Sequence, residues 1–163
     1  RGTLPEAPKH ILIPAANPKQ SRYAVAVAEA MAGPGSVIEL LHIVRHERDA
    51  ESSSRELMGG IFGEEMADLP SVYTERRRIE VKVRTVVSTH VIPSIVEAAQ
   101  LADLVILGSA KETWLQRKSF TALHTTVADR YDGPLLLVKL RTGRAQFATQ
   151  QVVDFFLSKE PEA

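Results

Sequence analysis

Apolar positions follow two rhythms along this chain, and the switching between them predicts its elements. Ile11-Leu-Ile13, closed by Pro14, and the longer Val37 to Val44 are nearly unbroken apolar runs, as are Leu104 to Leu107 and Leu135 to Leu140. Runs of this length belong to strands buried on both faces of a parallel sheet. Glu80 to Val87 alternates apolar with polar instead, which predicts a strand with one face wet, at a sheet edge. Between the runs, apolar residues take helical spacing: Ala24, Val25, Ala28, Met31 and Ala32, then Ile92, Ile95, Val96 and Ala99, then a pattern from Ser119 to Tyr131. Five strands alternating with helices predict a doubly wound α/β domain with a five-stranded parallel sheet and right-handed crossovers.

Punctuation between the elements is read the same way. Asn17-Pro18-Lys19-Gln20 is a helix start: Asn caps free N–H groups, Pro suits the first helical position and Gln can reach back. Gly33-Pro34-Gly35 stops that helix, and Asp132-Gly133-Pro134 turns the chain into its last strand. Arg45 to Ser54 is charged and serine-rich and reads as a mobile surface segment. Ser54 to Met66 reads as an irregular helix interrupted by Gly59-Gly60 and Gly63, and Tyr73 to Arg78 as the end of a helix or its connection to the next strand. Residues 1–9 form a lead-in, 10–141 the α/β domain and 142–163 a tail. In the tail, Ala148, Val152, Phe155 and Phe156 share one face of an amphipathic helix over Gln146 to Ser158.

Composition narrows the functional classes. The chain has 163 residues, 20 basic against 20 acidic side chains and no cysteine. Charge balance leaves no electrostatic footprint for nucleic acid, and thiolate metal sites, disulfides and cysteine nucleophiles are excluded. No apolar run approaches the roughly 20 residues that span a bilayer, so direct membrane insertion is not expected and a cytoplasmic location is. The start at Arg1 rather than methionine suggests a fragment of something longer.

No catalytic constellation is visible along the sequence. The histidines His10, His42, His46, His90 and His124 show no zinc-site spacing, and no phosphate loop or nucleophile elbow is present. His42, inside an apolar run, reads first as a satisfied core residue, whereas His90 and His124 fall where they could face the strand-end crevice. Ser109, Ser119, Thr121 and Thr125 lie around the start of the last helix, where free N–H groups favour anions, with Ser119 also an ordinary N-cap. Trp114 is the one conspicuous aromatic in that polar loop.

Four strings in order, Ile11-Leu-Ile, Leu41-His-Ile-Val, Ala102-Asp-Leu-Val-Ile-Leu-Gly-Ser109 and Gly133-Pro-Leu-Leu-Leu-Val138, resemble the universal stress protein domain over Lys9 to Arg141. The resemblance implies strand order 3-2-1-4-5, a nucleotide crevice between strands one and four, and dimerisation through the last strand, Leu135 to Leu140. ATP-binding members carry Gly-x-x-Gly, nine residues, then Gly followed by Ser or Thr. Here Gly108 stands alone, with Lys111 at the second glycine and Thr121-Ala122 at the final pair. The aspartate after strand one falls on Ala16, and His124 stands where members often place a phosphate-contacting serine. Ile13-Pro-Ala-Ala-Asn-Pro18 also resembles stress-protein-like domains attached behind membrane transporters such as amino-acid permeases, chloride channels and cation/proton antiporters.

The resulting expectation is a non-catalytic regulatory and dimerisation domain, the cytoplasmic C-terminal part of such a transporter, with a degenerate nucleotide site and no required cofactor. Its candidate crevice comprises Ala15, Ala16, Asn17, His42, Val44, Gly108, Ser109, Lys111, Thr121, His124 and Thr125. The alternative is a stand-alone stress protein that binds ATP or AMP there.

Overall fold

The computed structural model describes residues 5–74, 78–109 and 117–139. It contains strands β1 (His10–Pro14), β2 (Val37–Val44), β3 (Ser71–Tyr73), β4 (Glu80–Val87), β5 (Leu104–Ser109) and β6 (Leu135–Lys139). The helices are α1 (Pro18–Met31), α2 (Ala50–Phe62), α3 (Val91–Ala99) and α4 (Arg117–Arg130). The sheet order is β3-β4-β2-β1-β5-β6, parallel throughout except that β3 runs antiparallel to β4. Without β3, this is the expected 3-2-1-4-5 order.

Alternation along the central strands explains the double winding. Ile11, Ile13, Ile38, Leu40, Leu104 and Ile106 pack on one face against Ala24, Val25 and Ala28 of α1 and Leu57 and Ile61 of α2. Leu12, Leu41, Val105 and Leu107 point the other way, onto Ile95, Ala98 and Ala99 of α3 and Val127 of α4. Every one of these side chains is buried, and each fully buried aliphatic contributes about 1.5–3 kcal/mol. Small residues on α1 let the helix lie close on the sheet.

Three boundaries differ from the expectation. Tyr73 closes an antiparallel strand rather than ending a helix or starting its connection to the next strand, so the sheet has six strands, and β4 is covered at Glu80–Lys82 rather than outermost along its whole length. A three-residue strand is too short to display alternation, and its hydrogen bonds to β4 come from the fold. The serine run is not in a loop: after a 3₁₀ turn at Glu47–Asp49, α2 begins at Ala50 and continues through Gly59 and Gly60. Gly60 is where α2 meets α1, since a Cβ there would stand 2.5 Å from that of Pro18. The helix ends at Gly63, whose φ of 108° suits glycine. Ser119 lies inside α4, which starts at Arg117, and is not its cap. The tail over 142–163, Trp114 and Leu140 lie outside the described residues.

Polar bonds tie together the amino ends of the strands. Asp103 Oδ2 accepts the backbone N–H groups of Lys9 and His10 at 2.8 and 2.9 Å. His10 Nδ1 donates to the Leu101 carbonyl at 2.9 Å, and its Nε2 lies 3.4 Å from Glu39 Oε2. Glu39, 6% exposed, accepts from Arg84 Nε at 2.6 Å and has Lys82 Nζ at 3.9 Å. Tyr131 donates its hydroxyl to the Ala102 carbonyl at 3.2 Å. Burial first, and the nearby Asp103 carboxylate second, push that hydroxyl above its ordinary 10.0.

Candidate functional site: the crevice between β1 and β5

The carboxyl ends of the strands are built differently. β1 pairs with β2 along five positions, His10 to Pro14, but with β5 only at Ile11–Leu104 and Leu12–Val105. Past those pairs β1 and β5 part, at the point where crossovers leave the sheet in opposite directions. Ligands in open α/β sheets bind at such a switch point. A cavity of about 180 Å³ occupies the gap.

The sequence builds its rim locally. Pro14 ends β1, and Ala15 is held by its N–H to the Leu41 carbonyl at 2.9 Å. Asn17 then caps α1: its Oδ1 accepts from Lys19 N at 3.0 Å, with Pro18 at the first helical position. Ser21 repeats the tie, donating through its hydroxyl to the Asn17 carbonyl at 2.9 Å. Gln20 does not reach back to the cap but lines the cavity. The first turn of α1 contains no acidic residue.

Of the residues expected at the crevice, Ala15, Ala16, Gly108 and His124 line one cavity. Asn17 serves as the helix cap beside it, and Thr125 is exposed on α4. Ser109 ends β5 and Thr121 lies in α4, their side chains outside the described part, as is Lys111 altogether. His42 and Val44 do not line the cavity. They belong to the face of β2 that carries Leu40, toward α2, and the wall is made by Leu41 and Ile43 instead. Period-two alternation was the available signal, because Leu41 and Ile43 share the face of Leu107 and Ile95. Val91 and Ile95 of α3, Leu123 of α4 and Ser21 of α1 complete linings that motif reading passed over.

Among the described lining residues none carries a fixed charge, and most are aliphatic. Gly108 has open space on its crevice side: an added Cβ would meet nothing nearer than Gln20 at 3.9 Å. Behind the wall, His42 is 7% exposed and fully bonded. Its Nδ1 stands 2.8 Å from the Ala15 carbonyl and its Nε2 2.8 Å from Ser53 Oγ.

The model of the universal stress protein family matches residues 8–139. The chain belongs to this family. Two solved structures carry the same fold at low identity. A universal stress protein in complex with cAMP is 18% identical, with a TM-score of 0.55 over 83% of this chain and all of that one. The hypothetical protein MJ0577, a structural-genomics case of function assigned from structure, is 20% identical, also at 0.55, over 83% of this chain and 98% of that one. No curated protein sequence matches the chain. Among the described residues, no helix is long and apolar enough to cross a membrane.

Proposed function

We propose that this stress-protein domain is a non-catalytic sensor that holds the flat ring of a small ligand in the β1–β5 crevice, with any charged group of that ligand kept outside. The observation that carries the reading is a cavity of about 180 Å³ walled by Ala15, Ala16 and Gly108 with no fixed charge among its described lining residues. That space suits a nucleobase-sized ring, while drug-sized ligands take roughly 300–1,000 Å³. Alanine at position 16 withdraws the carboxylate that family members offer to the nucleoside end. In the register of the family motif, Lys111 and Thr121 replace glycines that let backbone approach phosphates. A cyclic or single-phosphate nucleotide, its ring inside and its phosphate outside, is the natural candidate, and the cAMP held by a relative of the same fold supports this class.

The test is isothermal titration with cAMP, AMP and ATP, alongside Gly108→Val, which fills the crevice. AMP or cAMP is expected to bind at least about tenfold tighter than ATP, about 1.4 kcal/mol, and Gly108→Val to lose that binding. ATP binding tightest would overturn the reading in favour of a stand-alone nucleotide-binding stress protein.

The regulatory setting is part of the same proposal: a cytoplasmic domain behind a transporter, paired through β6. Support for pairing is Leu137, an apolar residue 55% exposed on the strand at the sheet's outer edge. Support for the transporter setting is the Pro14-Ala-Ala-Asn-Pro18 string together with the altered phosphate positions.

A further inference from the structure

Three consecutive serines in the first turns of α2, Ser52, Ser53 and Ser54, have three different partners. Ser52 Oγ donates to the Asp49 carbonyl at 3.3 Å, and Ser54 Oγ shares a 2.6 Å bond with the Thr85 hydroxyl. Ser53 Oγ alone faces an imidazole, 2.8 Å from His42 Nε2. The Ala15 carbonyl can only accept, so the proton of neutral His42 sits on Nδ1 and is donated at 2.8 Å. Nε2 is then left with a lone pair, and the bond to Ser53 must run from hydroxyl to imidazole. His42, more than nine-tenths buried in β2, is thus fixed in ring orientation and tautomer.

A hydroxyl within hydrogen-bond reach of a base, with the base oriented by a third group, is the arrangement of an activated nucleophile. Here a backbone carbonyl takes the orienting place. Ser53 is half-buried rather than sealed in the core, and it stands in the amino-terminal part of α2, where the helix dipole favours developing negative charge.

We propose that Ser53 is a reactive serine that accepts an acyl group from an activated donor such as an aryl ester, a thioester or an acyl phosphate, with His42 as its general base. Ser53 Oγ attacks the acyl carbon and forms the ester bond while its proton passes to His42 Nε2. The bond to the leaving group breaks, and the leaving group takes that proton. The products are acyl-Ser53, the protonated leaving group and His42 in its starting tautomer. The event is a covalent modification of the domain, independent of ligand binding at the crevice. It sits one side chain behind Ala15, so the modified state removes the hydroxyl that His42 holds.

The experiment treats the full chain with p-nitrophenyl acetate and, separately, with an alkyl fluorophosphonate, and reads intact mass and peptide maps over time. One label on Ser53 is expected, arriving roughly 100-fold faster than on Ser52 or Ser54, the two neighbours being internal controls. Ser53→Ala should abolish it, and His42→Gln, checked for fold by circular dichroism, should slow Ser53 to the rate of its neighbours. Equal labelling of the three serines in the natural protein overturns the proposal. So does unchanged Ser53 labelling in a folded His42→Gln. The three-serine comparison needs no variant, so it decides the matter even if His42→Gln does not fold.

Discussion

The two ends of this sheet are finished in opposite ways. At the amino ends, charged and polar side chains close the structure: Asp103 ties the start of β1, Glu39 gathers Arg84 and Lys82, and Tyr131 reaches the Ala102 carbonyl. At the carboxyl ends, small and aliphatic residues leave about 180 Å³ open. One end supplies stability through satisfied backbone groups, and the other leaves space that a ligand can fill. Substitutions of crevice residues such as Ala16 should therefore cost the fold little.

The comparison can be broken most forcefully at Asp103. Asp103→Ala strips two backbone N–H groups of a charged acceptor and should lower stability by about 2 kcal/mol, read as an earlier urea midpoint. An unchanged midpoint would mean that water replaces the carboxylate and that the amino end is not the tied one. Tyr131→Phe should cost about 1 kcal/mol at neutral pH. It also sharpens the picture through pH. Because the folded-state hydroxyl ionises above its ordinary 10.0, the unfolded chain loses its proton first. Stability is then intact below pH 10 and falls as pH rises from there through the folded value. Tyr131→Phe should flatten that alkaline slope in melting curves taken across it, and a slope unchanged by the substitution would assign it elsewhere. Gly108→Val, at the open end, should shift stability by less than about 0.5 kcal/mol while closing the crevice to ligand. A large loss of stability there would show that the carboxyl end is as tightly built as the other.

Much of the fold was legible because it rests on local rules. Four apolar runs and one alternating stretch located the five parallel strands, and Asn17-Pro18 announced the start of α1 with the cap bond the structure contains. β3 was illegible because three residues cannot show a period, and the start of α2 because the serines that disfavour helix interiors are held there by His42 and Thr85. The crevice was half legible. Its position follows from topology, but choosing His42 and Val44 over Leu41 and Ile43 put the reading on the wrong face of β2. The His42–Ser53 pair was invisible in principle, since its members are 11 residues apart on a strand and a helix and share no motif.

The unequal edges of the sheet bear on what the protein can become at high concentration. A fibre grown by strand addition needs two complementary edges on every copy, whereas a two-fold pair uses one edge twice. On the β3 side three antiparallel residues cover only Glu80–Lys82, so the outer edge passes from β3 to the rest of β4 and is broken into short pieces that offer little for another chain to extend. On the other side β6 presents five parallel ones. If two copies pair through β6 as proposed, growth that begins there closes on itself, and the asymmetry works against open-ended polymerisation.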